Sequence, residues 1–184
     1  MKRKTAKEIL ADFFRELAET KSVNKITIQE IADNCGYSPA TFYRQFRDKY
    51  DLIAWDYSMH CRAIMDPIGS TGKTWEQAIL EGCEYLYGER NYIRNLLEHT
   101  SGHDSFVRYM ALINTELLSG AAQRKSGCRE LDHELMLMIR MYCFGTVQIV
   151  CEWLTGSLDM TTEQLSALFL RALPDPLSPY LCSQ

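Results

Sequence analysis

The stretch "TIQEIADNCGYSPATFYRQF", residues 27–46, constrains the fold more than any other part of this 184-residue chain. It reads as two helices too short to persist alone, which must be held by neighbours. Thr27-Ile28-Gln29-Glu30 is a capping box that opens the first helix, with Ile28, Ile31, Ala32 and Cys35 turned inward. Gly36 sits where a helix closes with a left-handed residue. Ser38 then stands as an N-cap and Pro39 as a first helical position, so a second helix starts almost at once. On a wheel of about 100° per residue, Phe46 falls roughly 40° from Phe42, and Arg44 roughly 200° away. One face is therefore two aromatic anchors, and the opposite face is small, cationic and hydrogen-bonding. That is what a helix-turn-helix reader of a DNA major groove requires: close approach through small residues, and donors for base edges and phosphates.

The rest of the chain also repeats at helical period, with no convincing alternation of strand type. The fold class expected is all-α with about nine helices. The first carries the stripe Ala6, Ile9, Leu10, Phe13, Phe14 and Leu17, and the fourth starts at the cap Asp48 and ends before Asp66-Pro67. Five more follow, around residues 75–87, 92–98, 105–123, 129–155 and 162–173. Prolines 174, 176 and 179 predict a non-helical tail. The domains expected are 1–55, a three-helix reader, and 56–184, a helical effector-binding and dimerisation domain.

Charge divides along the same line. Residues 1–55 hold ten Lys and Arg against eight Asp and Glu, and the remainder holds ten against sixteen. A mildly basic front on an acidic back suits a polyanion at one end only. No leader or transmembrane segment is expected. The most apolar region, Leu131 to Leu154, contains Arg140, Gln148 and Glu152. The seven cysteines include no CxxC pair, which fits reduced thiols and a cytoplasmic location.

The run "TIQEIADNCGYSPATFYRQFRDKYDL" closely resembles the DNA-binding signature of TetR/AcrR-type transcriptional regulators, through "IA", "CGYS", "TFYRQF" and "DK". The resemblance covers residues 5–55 and implies phosphate contacts from Thr27, Ser38, Thr41, Tyr43 and Lys49. It implies base contacts from Pro39, Ala40 and Arg44, and Gln45, where the family often has His, suits either role. Ala40 stands where many members have Gly, and Pro39 lacks a donor, which shifts base reading toward Arg44. The resemblance further implies a homodimer, a near-palindromic operator, and an effector in the back domain.

For that effector the aromatic and thioether candidates are Trp75, Tyr85, Phe106, Tyr109, Met110, Met138 and Tyr142. For dimerisation, the helix through residues 129–155 is apolar nearly all round and calls for a partner's cover. Val147, Val150, Trp153 and Leu154, with Leu165, Leu168 and Phe169 on the next helix, are the expected seam. "ERNYIRNLLEHTSGHDSFVRYM" and "CEWLTGSLDMTTEQLSALF" resemble a C-terminal type that includes activators working with dihydroxyacetone-kinase-like proteins. The expectation is a ligand-responsive repressor. The alternatives are an activator controlled by a protein partner, and a thiol- or metal-responsive regulator acting through Cys143 and Cys151.

Other motifs carry less. "GSTGKT", residues 69–74, lacks the first glycine of a phosphate-binding loop, since that place is Pro67. His99 and His103 are separated by a helix-breaking Thr-Ser-Gly and read as loop residues, not metal ligands. With no nucleophile–base spacing and no cofactor loop, neither enzymatic activity nor a cofactor is expected.

Overall fold

The computed structural model describes residues 4–68, 72–102, 105–127 and 130–181. The expected loop at residues 69–71, His103, and the basic residues at positions 2 and 3 lie outside that set. Helix α1 spans Ala6–Thr20, α2 Ile28–Asn34, α3 Pro39–Gln45 and α4 Lys49–Met65. Then come α5 Trp75–Gly88, α6 Arg90–His99, α7 Phe106–Ser126, α8 His133–Leu154, α9 Thr162–Arg171 and α10 Ser178–Leu181. Helix α10 is one more than the sequence predicts. Pro179 stands within the first turn of a fresh helix, where no backbone N–H is needed, and so does not forbid it.

Local chemistry sets the boundaries. Thr5, Thr27, Thr74 and Thr161 each cap a helix reciprocally with a Glu or Gln three residues on. Gly36 takes φ +70°, a left-handed value that lets α2 stop and α3 start within a few residues. Asp48 accepts from the N–H groups of Tyr50 and Asp51 and opens α4.

Phe14 of α1, Ile31 of α2, Phe42 of α3, and Leu52 and Ile53 of α4 are fully buried together. Their core runs on without a break into Tyr57 and Cys61, and then into α5, α6, α7 and α8. The expected boundary at 55/56 thus falls inside α4, which is one unbroken helix. Its first turns pack the reader and its later turns pack the back of the molecule. Trp55 meets Phe46 with ring centres 5.6 Å apart, and Tyr57 is two residues further on.

Behind α4, helix α8 packs on α7 and α9 runs along α5. This arrangement corrects the expected dimer seam. Val147, Val150, Trp153 and Leu154 are buried inside the protomer, as are Leu165 and Phe169, and Leu168 is half-buried. A helix apolar all round must hide one face on its own chain, and packing selected this one. The face left to solvent carries Leu137, Met141 and Phe144, at spacings of four and three, with Met141 69% exposed. Helix α8 is long and apolar enough to cross a membrane by length and composition, yet here it lies against α7.

Candidate DNA interface and effector cavity

Two sites emerge, one at each end of α4. At the first, α3 projects from the reader core. Phe42 and Phe46 are buried, 0% and 2% exposed, and their rings meet at a tilt with centres 5.8 Å apart. On the other side Ala40, Tyr43 and Arg44 are exposed, Tyr43 at 58%. No segment among the described residues covers them. Ser38 Oγ accepts from the Thr41 N–H, its hydroxyl lies 3.2 Å from that of Thr41, and Arg44 donates to Thr41 Oγ1 at 3.1 Å. Three polar side chains are thus strung along one edge of α3. Pro39, Thr41 and Gln45 are half-buried at its margins.

Thr27 and Lys49 are placed differently from the expectation. Thr27 donates both its hydroxyl and its backbone N–H to Glu30, at 2.9 Å each, which leaves no donor for a phosphate. Lys49 donates to the carbonyls of Val23, Asn24 and Ile26 at 2.9, 3.0 and 2.8 Å. All three ammonium protons are therefore spent clasping the turn before α2. Burial, and then the nearby charge of Lys21, lower the pKa of Lys49 from its ordinary value. Arg44 is exposed on this face, and Arg47 is tied to Asp48 at 2.9 Å.

The second site is a cavity of about 120 Å³ between α4, α5, α7, α8 and α9. Of the residues anticipated, Trp75, Tyr85, Met110 and Tyr142 line it. Phe106 does not; it is buried behind the wall, edge-on to Tyr57 at 5.3 Å. Tyr109 and Met138 are half-buried on α7 and α8, away from the lining. Val147, Val150 and Phe169, assigned to the dimer, line it instead. Tyr57, Cys61, Cys83 and Asn114 were missed. A signal was present on α5, where Ala78 and Gly82 follow Trp75 on one face and leave room beside the indole. Burial pushes the Cys61, Cys83 and Cys143 thiols up to about 12, and the Cys151 thiol up to about 11. Protonated thiols react slowly, which weighs against thiol sensing. Among the described residues no cluster of three His, Cys, Asp or Glu suits a metal.

An ionic knot joins the sites. Arg15 of α1 donates to Asp56 at 2.9 Å, to Glu89 at 2.8 Å and to the Tyr85 hydroxyl at 3.1 Å. Its guanidinium lies 4.6 Å from the centre of the Tyr92 ring. Asp56 is 5% exposed, and burial raises its pKa while Arg15 and His60 pull it back. Tyr85, a wall of the cavity, stacks on His60 at 4.9 Å. From α6, Asn95 donates to the carbonyls of Ala18 and Lys21 and accepts from the Val23 N–H. These contacts tie α4, α5 and α6 to α1 at the base of the reader.

Comparison with known proteins agrees with this arrangement. Residues 15–54 match the model of "Bacterial regulatory proteins, tetR family", and residues 73–175 match "Transcriptional regulator C-terminal region". An uncharacterized HTH-type transcriptional regulator of Haemophilus influenzae is 26% identical over 117 residues; the match spans 60% of this chain and 57% of that protein's length. Three solved structures share the fold over nearly their whole length. They are the dihydroxyacetone kinase operon activator DhaS (TM-score 0.65, 16% identity, 95% and 97% of the two chains), a TetR transcriptional regulator from Rhodococcus sp. RHA1 (0.62, 18%, 95% and 97%), and Thermus thermophilus FadR, a repressor in complex with lauroyl-CoA (0.60, 17%, 97% and 96%). At such identities the likeness is one of fold.

Proposed function

Because this chain belongs to the TetR family of bacterial transcriptional regulators, we propose that it is a cytoplasmic, homodimeric repressor released from a near-palindromic operator by a ligand in the cavity. The observation that carries DNA binding is the placement of α3: aromatic anchors sealed beneath, Ala40, Tyr43 and Arg44 displayed above. Ala40 lets the helix approach the groove, and Arg44 reads base edges. Ser38, Thr41 and Tyr43 meet phosphates, with Pro39 and Gln45 at the rim. Thr27 and Lys49 shape the motif without touching DNA. Two such helices enter successive major grooves, about 34 Å apart.

The dimer seam we assign to Leu137, Met141 and Phe144 of α8, the apolar stripe its own chain leaves bare. Ligand bound against Tyr57 and Tyr85 shifts α4 and the Arg15 knot, and favours dimers whose readers no longer match both grooves. The activator alternative has a fold neighbour in DhaS, a dihydroxyacetone kinase operon activator, but the internal cavity supports control by a small molecule better than control by a protein partner.

Selection from random duplexes at low salt tests the proposal. Enriched sites should show two half-sites about one helical turn apart and bind two chains. Failure to enrich any sequence would end the DNA-binding reading.

A further inference from the structure

The cavity wall holds one buried donor without a partner, and that points to what fills it. Trp75 is 2% exposed and lines the cavity, and its indole N–H is buried with no hydrogen-bond partner. A buried donor left unpaired costs free energy that an incoming acceptor recovers. Three hydroxyl groups of the wall already donate within the protein. Tyr57 donates to the Asn114 carboxamide oxygen at 3.2 Å, Tyr142 donates to the Phe169 carbonyl at 2.9 Å, and Thr146 donates to the Tyr142 carbonyl at 2.9 Å. What the Trp75 indole N–H lacks is an acceptor oxygen.

Charge limits the class further. Among the described residues that line the cavity none is Lys, Arg, His, Asp or Glu. Arg15 lies behind Tyr85, bound by Asp56 and Glu89. A carboxylate or phosphate inside would be desolvated without a counter-charge. Size sets the third limit, since an apolar cavity of roughly 150 Å³ holds benzene.

We propose that the effector is a neutral, mainly apolar molecule of about benzene size, bearing a carbonyl or similar acceptor oxygen that receives the Trp75 indole N–H. This rests on the effector reading of the cavity given above.

Calorimetric titration of the full-length protein with three matched probes tests it. They are acetophenone (neutral, with an acceptor), ethylbenzene (a similar skeleton without one) and benzoate (charged). Acetophenone should bind roughly fivefold more tightly than ethylbenzene, the effect of one net hydrogen bond, and benzoate should bind least. In Trp75→Phe the acetophenone advantage should fall toward one while ethylbenzene binding persists. Should that variant fail to fold, the wild-type indole N–H resonance of Trp75 gives the same answer, shifting with acetophenone and not with ethylbenzene. Benzoate as the tightest ligand, no binding of any probe, or an advantage that survives in Trp75→Phe would overturn the proposal. Mobility shifts on a selected operator separate the two readings. Acetophenone that binds without weakening DNA affinity refutes the effector role alone, and benzoate that binds and weakens it refutes the ligand class alone.

Discussion

The two ends of α4 solve opposite problems. At the reader end, α1 and two short helices close over a core in which Phe14, Ile31 and Phe42 are wholly buried, and Tyr43 and Arg44 of α3 are turned out. At the far end, longer helices with far more apolar surface leave a cavity inside and a stripe of Leu137, Met141 and Phe144 outside. A short helix has few choices of face. A long one has several, and its surplus apolar surface lines a cavity or stays exposed.

The contrast can be broken at its strongest point first. Phe42→Ala should cost about 3–5 kcal/mol in urea unfolding, because the α3 anchor has no room to relax; a loss below about 1 kcal/mol would mean the reader core is loose. Arg15→Ala should cost about 3 kcal/mol, since it strands the buried Asp56 carboxylate without its partner. Asp56→Asn in the same chain should restore part of that, and a double variant no better than the single would remove the ion pair from the account. On the outer stripe, Met141→Glu should weaken the dimer by at least about 2 kcal/mol in sedimentation with helicity unchanged. A dimer that withstands it would return the seam to the buried faces of α8 and α9. The smallest effect is that of Lys49→Ala. It should lower stability by about 1 kcal/mol and leave the salt slope of DNA binding unchanged, whereas a slope flatter by about 0.9 would restore Lys49 to the phosphate contacts.

Legibility in the sequence follows the same divide. In α2 and α3, caps, the turn glycine and two phenylalanines fix each residue's direction, so Ala40, Tyr43 and Arg44 stand out from spacing alone. Sequence resemblance suggests phosphate contacts at Thr27 and Lys49, and it does not show that their protons are engaged within the fold by Glu30 and by the carbonyls of Val23, Asn24 and Ile26. In α8 the spacing shows an apolar helix without showing which side meets its own chain. Val147 and Val150 therefore passed for a seam, while the exposed stripe is centred about a quarter of a turn from Val147 and further from Val150. Trp75 and Tyr85 were legible as aromatics near a pocket. That the Trp75 N–H lacks an acceptor was not, because satisfaction is a property of tertiary neighbours.

The central claim is that the outward face of α3 reads base sequence while its buried face only holds it in place. Affinities of wild-type and Arg44→Ala protein, measured on a selected operator and on a scrambled duplex of equal length, test this directly. The account predicts a loss of about 1–3 kcal/mol on the operator and little change on the scrambled duplex; equal losses on both would contradict it.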